Sequence, residues 1–251
     1  MPDPARRPQS EEDLLPKKEV TATAAARLAQ ARNAITATKA VMNFGAGNQV
    51  EALKKTNLNS MARLQVMRED SYWEIAPEVR AIAGANPEAL IAAKADLAHG
   101  GNCGEHAWVA YHYLRQNAAG QHIQVSAKDG LDHAFVLIGD VQGEDKDNEI
   151  AVADPWPTRA RACLWEDHFA FTPDRTKIED YASMVADGES KKAAIAAGLR
   201  LSAEGQAYVN AKASQEETDE VVGKSKEYHL WNHPNTEANG HRFNYVDQDG
   251  H

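Results

Sequence analysis

Three residues of this 251-residue chain have types and surroundings that could perform hydrolytic chemistry: Cys103, His133 and Asp154. Cys103 follows Gly100-Gly101-Asn102 and directly precedes GEHAWVAYHYLRQ (104–116), which reads as a helix. A thiol at a helix N-terminus meets unpaired N–H groups and the positive end of the dipole, and both favour the thiolate. The flanking glycines let the backbone turn sharply and leave room for a substrate carbonyl. Backbone amides around Cys103 and Gly104, with the Asn102 side chain, are then candidates to face a developing oxyanion. At 100° per residue Cys103 shares a helix face with Ala107, Ala110 and Leu114, which is expected to pack on a sheet. His133 opens the apolar run HAFVLI 30 residues after the cysteine, and Asp154 closes the run IAVA 21 residues further on. If those runs are antiparallel neighbours, the start of one lies beside the end of the other. The topology thus proposes a thiolate nucleophile, an imidazole acid and base, and a carboxylate that orients it.

The elements that must position these residues are legible in outline. TATAAARLAQARNAITATKA (21–40) is Ala-rich with Leu28, Ala31 and Ile35 at helical spacing, and Asn43-Phe44-Gly45-Ala46-Gly47 breaks it. Further helices are expected over 48–67, 75–83 and 87–98, the last opened by Asn86-Pro87-Glu88. Gln121–Ala127 alternates loosely as a strand, HAFVLI and IAVA suit buried strands, and Ala162–Trp165 suits another. From about residue 174 helix character returns, strongest over 190–213. The expectation is α+β: a nucleophile-bearing helix packed on a small antiparallel sheet, flanked by N- and C-terminal helices. Its parts would be a flexible arm over 1–20, a helical region over 21–98, a core over 99–173, and helices with a polar tail over 174–251.

Composition narrows the partners. The chain is 43% hydrophobic and carries 37 acids against 27 bases, a net charge of −10. That balance argues against nucleic acid and against docking on an anionic membrane. No run of eighteen apolar residues suits a membrane span, and the first twenty residues lack the apolar stretch of a secretory signal. Two cysteines make no disulfide framework, so a reducing environment is the simplest reading.

GNCGEHA, DHAFVLIG and IAVADPWP together resemble the papain-like superfamily of cysteine peptidases and amidases. The similarity is greatest to bacterial effector and toxin domains with a Cys-His-Asp triad, including glutamine deamidases. The resemblance covers roughly 99–165. It implies a papain-like core, Cys103 as nucleophile, His133 as general base and Asp154 as orienting acid. It also implies a protein substrate in a target cell, with an immunity protein or a secretion chaperone as further partners. Delivery would use a route independent of a signal peptide, with the bacterial cytoplasm as the alternative location. Protease, deamidase and transglutaminase would share these residues, and a non-catalytic binding module of the same shape is the reading from another class. Papain-like peptidases often have an oxyanion-hole Gln six residues before the cysteine, where this chain has Leu97. Asn102 and His99 are therefore the candidate oxyanion partners.

Other residues divide between chemistry and packing. Trp156 could shield the His–Asp pair from water, and Trp108 could line a groove, although both also suit a core. Cys163 reads as core, His106 as a rim residue, and His112 as solvent-exposed. Asp132 is expected on the face opposite His133. His99, His106 and Cys103 lack a zinc-type spacing, so neither metal nor cofactor is expected. The acids Glu144, Asp145, Asp147 and Glu149 fit a solvated hairpin tip rather than a calcium loop.

Overall fold

The structure, a computed structural model, describes residues 15–189, 193–231 and 242–247. Its helices are α1 (Ala22–Val41), α2 (Val50–Thr56), α3 (Asn59–Arg68), α4 (Pro77–Ala85), α5 (Pro87–Ala98), α6 (Cys103–Asn117), α7 (Ala193–Ala196), α8 (Ala203–Asn210) and α9 (Gln215–Gly223). Its strands are β1 (Lys17–Glu19), β2 (Trp73–Glu74), β3 (His122–Lys128), β4 (Leu131–Ile138), β5 (Ala151–Ala153), β6 (Cys163–Leu164), β7 (Ile178–Val185), β8 (Arg200–Leu201) and β9 (Asn244–Val246). The architecture is α+β. A five-stranded antiparallel sheet runs in the order β6-β5-β4-β3-β7. Two small pairs accompany it, β1 with β9 in parallel and β2 with β8 antiparallel. Among the described residues no helix is long and apolar enough to cross a membrane.

Alternation along β4 divides the core. Ala134, Val136 and Ile138 join Leu28, Ala31 and Ala34 of α1 and Ala107, Ala110 and Leu114 of α6. The small residues on both helices let them lie close to the sheet and to each other. Phe135 and Leu137 face the other way, onto Val152, Cys163 and Trp165. Cys163 is thus a core residue, as its apolar flanks suggest. A third cluster, around Met42, Val66, Trp73 and Ala92, fills the space between α3, α5 and Val109 of α6.

Four expectations are corrected. The region 48–67 is two helices, because Asn57 and Leu58 both adopt left-handed φ, 48° and 61°. The end of the expected flexible arm is ordered: Lys17–Glu19 pairs with Asn244–Val246, and Lys18 Nζ bonds Glu166 at 2.7 Å and Asp167 at 2.6 Å. Residues 1–14 lie outside the described residues, as does most of the polar tail. The region after 174 contributes one 3-10 turn, Arg175–Lys177, and then β7 to the main sheet before any α-helix returns. An edge strand with one open face needs few apolar residues, and Glu179 and Asp180 suit an edge that must not pair further. Finally, 190–213 is not one helix: α7, β8 and α8 divide its described part.

Leu28 is buried where α1 meets the sheet. Leu28→Ala should lower unfolding free energy by about 2–5 kcal/mol, measured by urea denaturation, because the cavity opens between two rigid layers.

Candidate active site

The turn before Cys103 is held from several sides. α5 ends at His99, whose φ of 58° turns the chain back and whose Nδ1 lies 2.9 Å from the Val41 carbonyl. Arg63 donates from Nη1 to the Ala98 carbonyl at 2.7 Å, setting a cation on the C-terminal end of α5. A side chain at Gly100 would meet Arg63 Cβ at 2.9 Å, and one at Gly101 would overlap Glu105. These two glycines therefore serve close packing, while a Cβ at Gly104 would meet open space. At the helix start the buried Glu105 carboxylate accepts the Asn102 N–H at 2.6 Å and the Arg68 Nε–H at 3.0 Å. Cys103 is the first residue of α6 and is half-buried.

His133 and Asp154 come from the sheet and its edge. β4 and β5 pair Val136 with Ala153, so the same register carried on sets Asp154 opposite Phe135 and Trp156 opposite His133. Asp154 is thus diagonal to His133 on the same face, a separation that polar side chains can bridge. His133 Nε2 donates to Asp154 Oδ2 at 2.8 Å, with both side chains buried. Its Nδ1 is buried without a hydrogen-bond partner, and the Cys103 thiol is near enough to help raise the pKa of the ring. His133 lies on the face of Phe135, not on the Ala134–Val136 face that receives α6. Cys103 and His133 therefore approach from the starts of α6 and β4, rather than across the helix–sheet interface.

Electrostatics favours a charged His133 imidazole. Burial alone would lower the His133 pKa, but the Asp154 charge and hydrogen bond, with Cys103, carry it up to about 9. Burial would likewise raise Asp154, yet the charge and hydrogen bonds of His133 and His168 hold it well below the usual carboxylate range. Trp156 covers the pair: its ring centroid lies 4.7 Å from that of His133, and its backbone N–H bonds Asp154 Oδ1 at 3.2 Å.

His168 is the residue that sequence reasoning missed. It is buried, and its Nδ1 accepts the Ala170 N–H at 3.2 Å, which leaves the proton on Nε2. That Nε2–H reaches Asp154 Oδ2 at 3.3 Å, so one carboxylate oxygen receives two imidazoles. A signal was present: Asp167-His168-Phe169 echoes Asp132-His133-Ala134-Phe135, a histidine after an aspartate and beside aromatics. His133, Asp154 and His168 have the spacing of a metal-binding group. The His168 tautomer, however, offers a proton and not a lone pair at Nε2, which fits a hydrogen-bonded network.

The other candidates separate clearly. Asn102 lies next to the nucleophile and lines a cavity of about 620 Å³ beside Asp132, Leu230 and Trp231. Asp132 is therefore on the cavity rim, closer to the site than its face assignment implied. His99 is not brought to the triad: its ring is exposed and engaged with Val41. His106 is no rim residue but fully buried, donating from Nδ1 to the Asn102 carbonyl at 2.7 Å. His112 is buried rather than exposed, because α6 is covered by the sheet and by α5. Trp108 packs edge-on against Tyr111. At the hairpin tip Asp145 pairs with Arg27 at 2.8 Å and Asp147 with Arg175 at 2.9 Å, so these acids pin the connection rather than only solvating it.

The fold and site define an α+β protein in which a half-buried thiol at a helix N-terminus stands against a buried imidazole–carboxylate pair. Comparison with models of protein families, with curated proteins and with solved structures gave no match.

Burial pushes the His106 pKa down to about 3, with Lys39 adding to the shift. The unfolded chain takes up a proton near pH 6.5 that the folded chain refuses until about 3. Stability from His106 is therefore complete above about pH 6.5 and is lost as pH falls toward 3. Urea midpoints should fall over that range, and His106→Gln should flatten the fall. His168→Asn, which leaves Asp154 short of one donor, should cost about 1–3 kcal/mol at neutral pH in the same assay.

Proposed function

We propose that this chain is a cysteine-dependent amide hydrolase that acts on a protein substrate through a thioester. The observation that carries the reading is His133, bound to Asp154 through Nε2 and left with Nδ1 for the Cys103 thiol. A half-buried nucleophile beside a buried base also suits attack on an outside substrate. The resemblance of GNCGEHA, DHAFVLIG and IAVADPWP to papain-like effector and toxin enzymes supports a target-cell protein as that substrate.

The Cys103 thiolate attacks the amide carbonyl carbon, forming a C–S bond as the carbonyl π electrons move to oxygen. Backbone N–H groups at the start of α6 are the nearest donors to that oxyanion, with Asn102 beside them. Collapse breaks the C–N bond, and the proton on His133 Nδ1 leaves with the amine. Neutral His133 then takes a proton from water, the hydroxide oxygen attacks the thioester, and the carboxylic acid departs as thiolate and imidazolium re-form. Asp154 stays ionised throughout, holding the ring with Nδ1 toward sulfur. His168 and Trp156 act through Asp154 and His133 and are positioning residues.

Mass spectrometry of a target-cell lysate treated with wild type or Cys103→Ala separates the outcomes. New termini with wild type alone identify a protease. A mass gain of about 1 Da on intact proteins, the amide-to-acid difference, identifies a deamidase. Identical lysates would favour a binding module. On a substrate so found, Cys103→Ala and His133→Ala should each lose about 10³-fold or more in kcat and should not add in combination. His133 must carry its proton to serve the leaving amine, so kcat/KM should decline above a pH of about 9. Asp154→Asn removes the charge that raises His133, and should move that alkaline decline to lower pH. An unshifted decline would remove Asp154 from the triad.

A further inference from the structure

Residues 46–50 are fastened to both halves of the candidate site. On the nucleophile side, the Gly47 N–H bonds the Gly101 carbonyl at 3.1 Å, and Ala46 bridges Gly101. On the acid side, Gln49 Nε2 donates to the Trp156 carbonyl at 2.9 Å, and Gln49 Oε1 accepts from Thr158 at 2.7 Å. Asn48 Oδ1 accepts the Trp156 indole N–H at 3.0 Å. The segment therefore ties the turn two residues before Cys103 to the turn two residues after Asp154.

Its outer edge presents one acceptor and one donor. The Asn48 carbonyl is free of helical bonding, and the Val50 N–H belongs to the first turn of α2, where no intrahelical acceptor exists. An acceptor and a donor two residues apart are what one residue of a parallel extended strand requires. Trp231 fills that requirement. Its N–H bonds the Asn48 carbonyl at 2.8 Å, and its carbonyl accepts the Val50 N–H at 3.3 Å. Its indole meets Trp156 edge-to-face at 5.3 Å, and Trp156 in turn lies on His133. His229, with φ of 50°, turns the chain so that Leu230 and Trp231 form one wall of the cavity beside Asn102. The chain's own segment is thus seated as an extended peptide would be, with an aromatic side chain two rings from the base.

We propose that residues 48–50 are the binding edge for an extended peptide segment of the substrate, with Trp156 as the subsite for an aromatic side chain, and that Trp231 occupies this place in the free protein. The assignment rests on the hydrolase reading for its role in turnover, but not for binding. The substrate class it names is an extended polypeptide bearing an aromatic residue, recognised by main-chain pairing and ring contact.

The test uses the full chain in a Cys103→Ala background, so that no peptide is consumed. A fluorescein-labelled peptide of residues 225–231, amidated at its C-terminus, is titrated by anisotropy. Against the chain carrying Trp231 the peptide must displace an intramolecular competitor at an effective concentration of about millimolar. Trp231→Ala keeps the main-chain groups but loses the ring that seats them on Trp156, so the weakened competitor should let the peptide bind about tenfold or more tightly than with Trp231 intact. Replacing the peptide's tryptophan by alanine should cost about tenfold. Val50→Pro removes only the donor, since Gln49 is extended and proline suits the first position of α2. Added to Trp231→Ala, it should abolish binding while circular dichroism stays unchanged. Equal binding with and without Trp231, equal binding of the alanine peptide, or binding that survives Val50→Pro would each overturn the assignment. Peptide binding in a protein whose Cys103 proves inert leaves the edge standing and removes the hydrolase. Cys103-dependent hydrolysis with no peptide binding to Trp231→Ala does the reverse.

Discussion

A carboxylate with almost no exposure to water must be surrounded by donors or lose its charge, and Asp154 meets that demand with two imidazoles and a backbone N–H. Much of the neighbouring structure follows from this constraint. The strand that carries His133 and the strand that ends in Asp154 must keep a fixed register. The turn through Trp156 must bring its N–H back onto the carboxylate. The stretch after β6 must fold under the sheet so that His168 arrives with its proton on the correct nitrogen. A slip of one residue in the β4–β5 pairing would send His133 to the wrong face and leave the charge uncompensated.

Cys103 is located by independent means. Its turn is gripped by Arg63 from α3, by Glu105 from α6 itself, and by the main chain of residue 47. None of these contacts involves the sheet. The helix end and the sheet end are then joined through Ala46–Val50, which bonds Gly101 on one side and Trp156 on the other. One short segment thus ties the turn before Cys103 to the turn after Asp154, and the buried Gln49 side chain supplies two of its bonds.

The pairing of His133 with Asp154 was more legible than the fold around it. Cys103, His133 and Asp154 announce themselves because each sits at the end of a strongly patterned element, and the ends of patterned elements are where topology constrains neighbours. His168 lies in an irregular stretch between β6 and β7, where no periodicity says which residues meet, and only its aspartate and aromatic neighbours hinted at it. The same lack of pattern hid β7, whose polar face reads as solvated chain, and β1, whose three residues have no partner nearby in sequence. His106 and His112 were misjudged for another reason. A helix wheel orders side chains around one axis but does not reveal that α5, α1 and the sheet cover α6 on several sides at once. The break at Asn57-Leu58 went unread because leucine carries no hint of a left-handed backbone.

The parallel pairing of β1 with β9 has a mechanical meaning. Lys17–Glu19 and Asn244–Val246 run side by side in the same direction, so tension pulling residue 17 and residue 246 apart loads the rungs in shear. The rungs then share the load at once and do not peel one after another. Behind them, Lys18 and the Tyr245 hydroxyl both grip Asp167, the residue next to His168. Asp167 thus joins the same two strands a second time, and opening the clasp would strip two partners from the neighbour of His168.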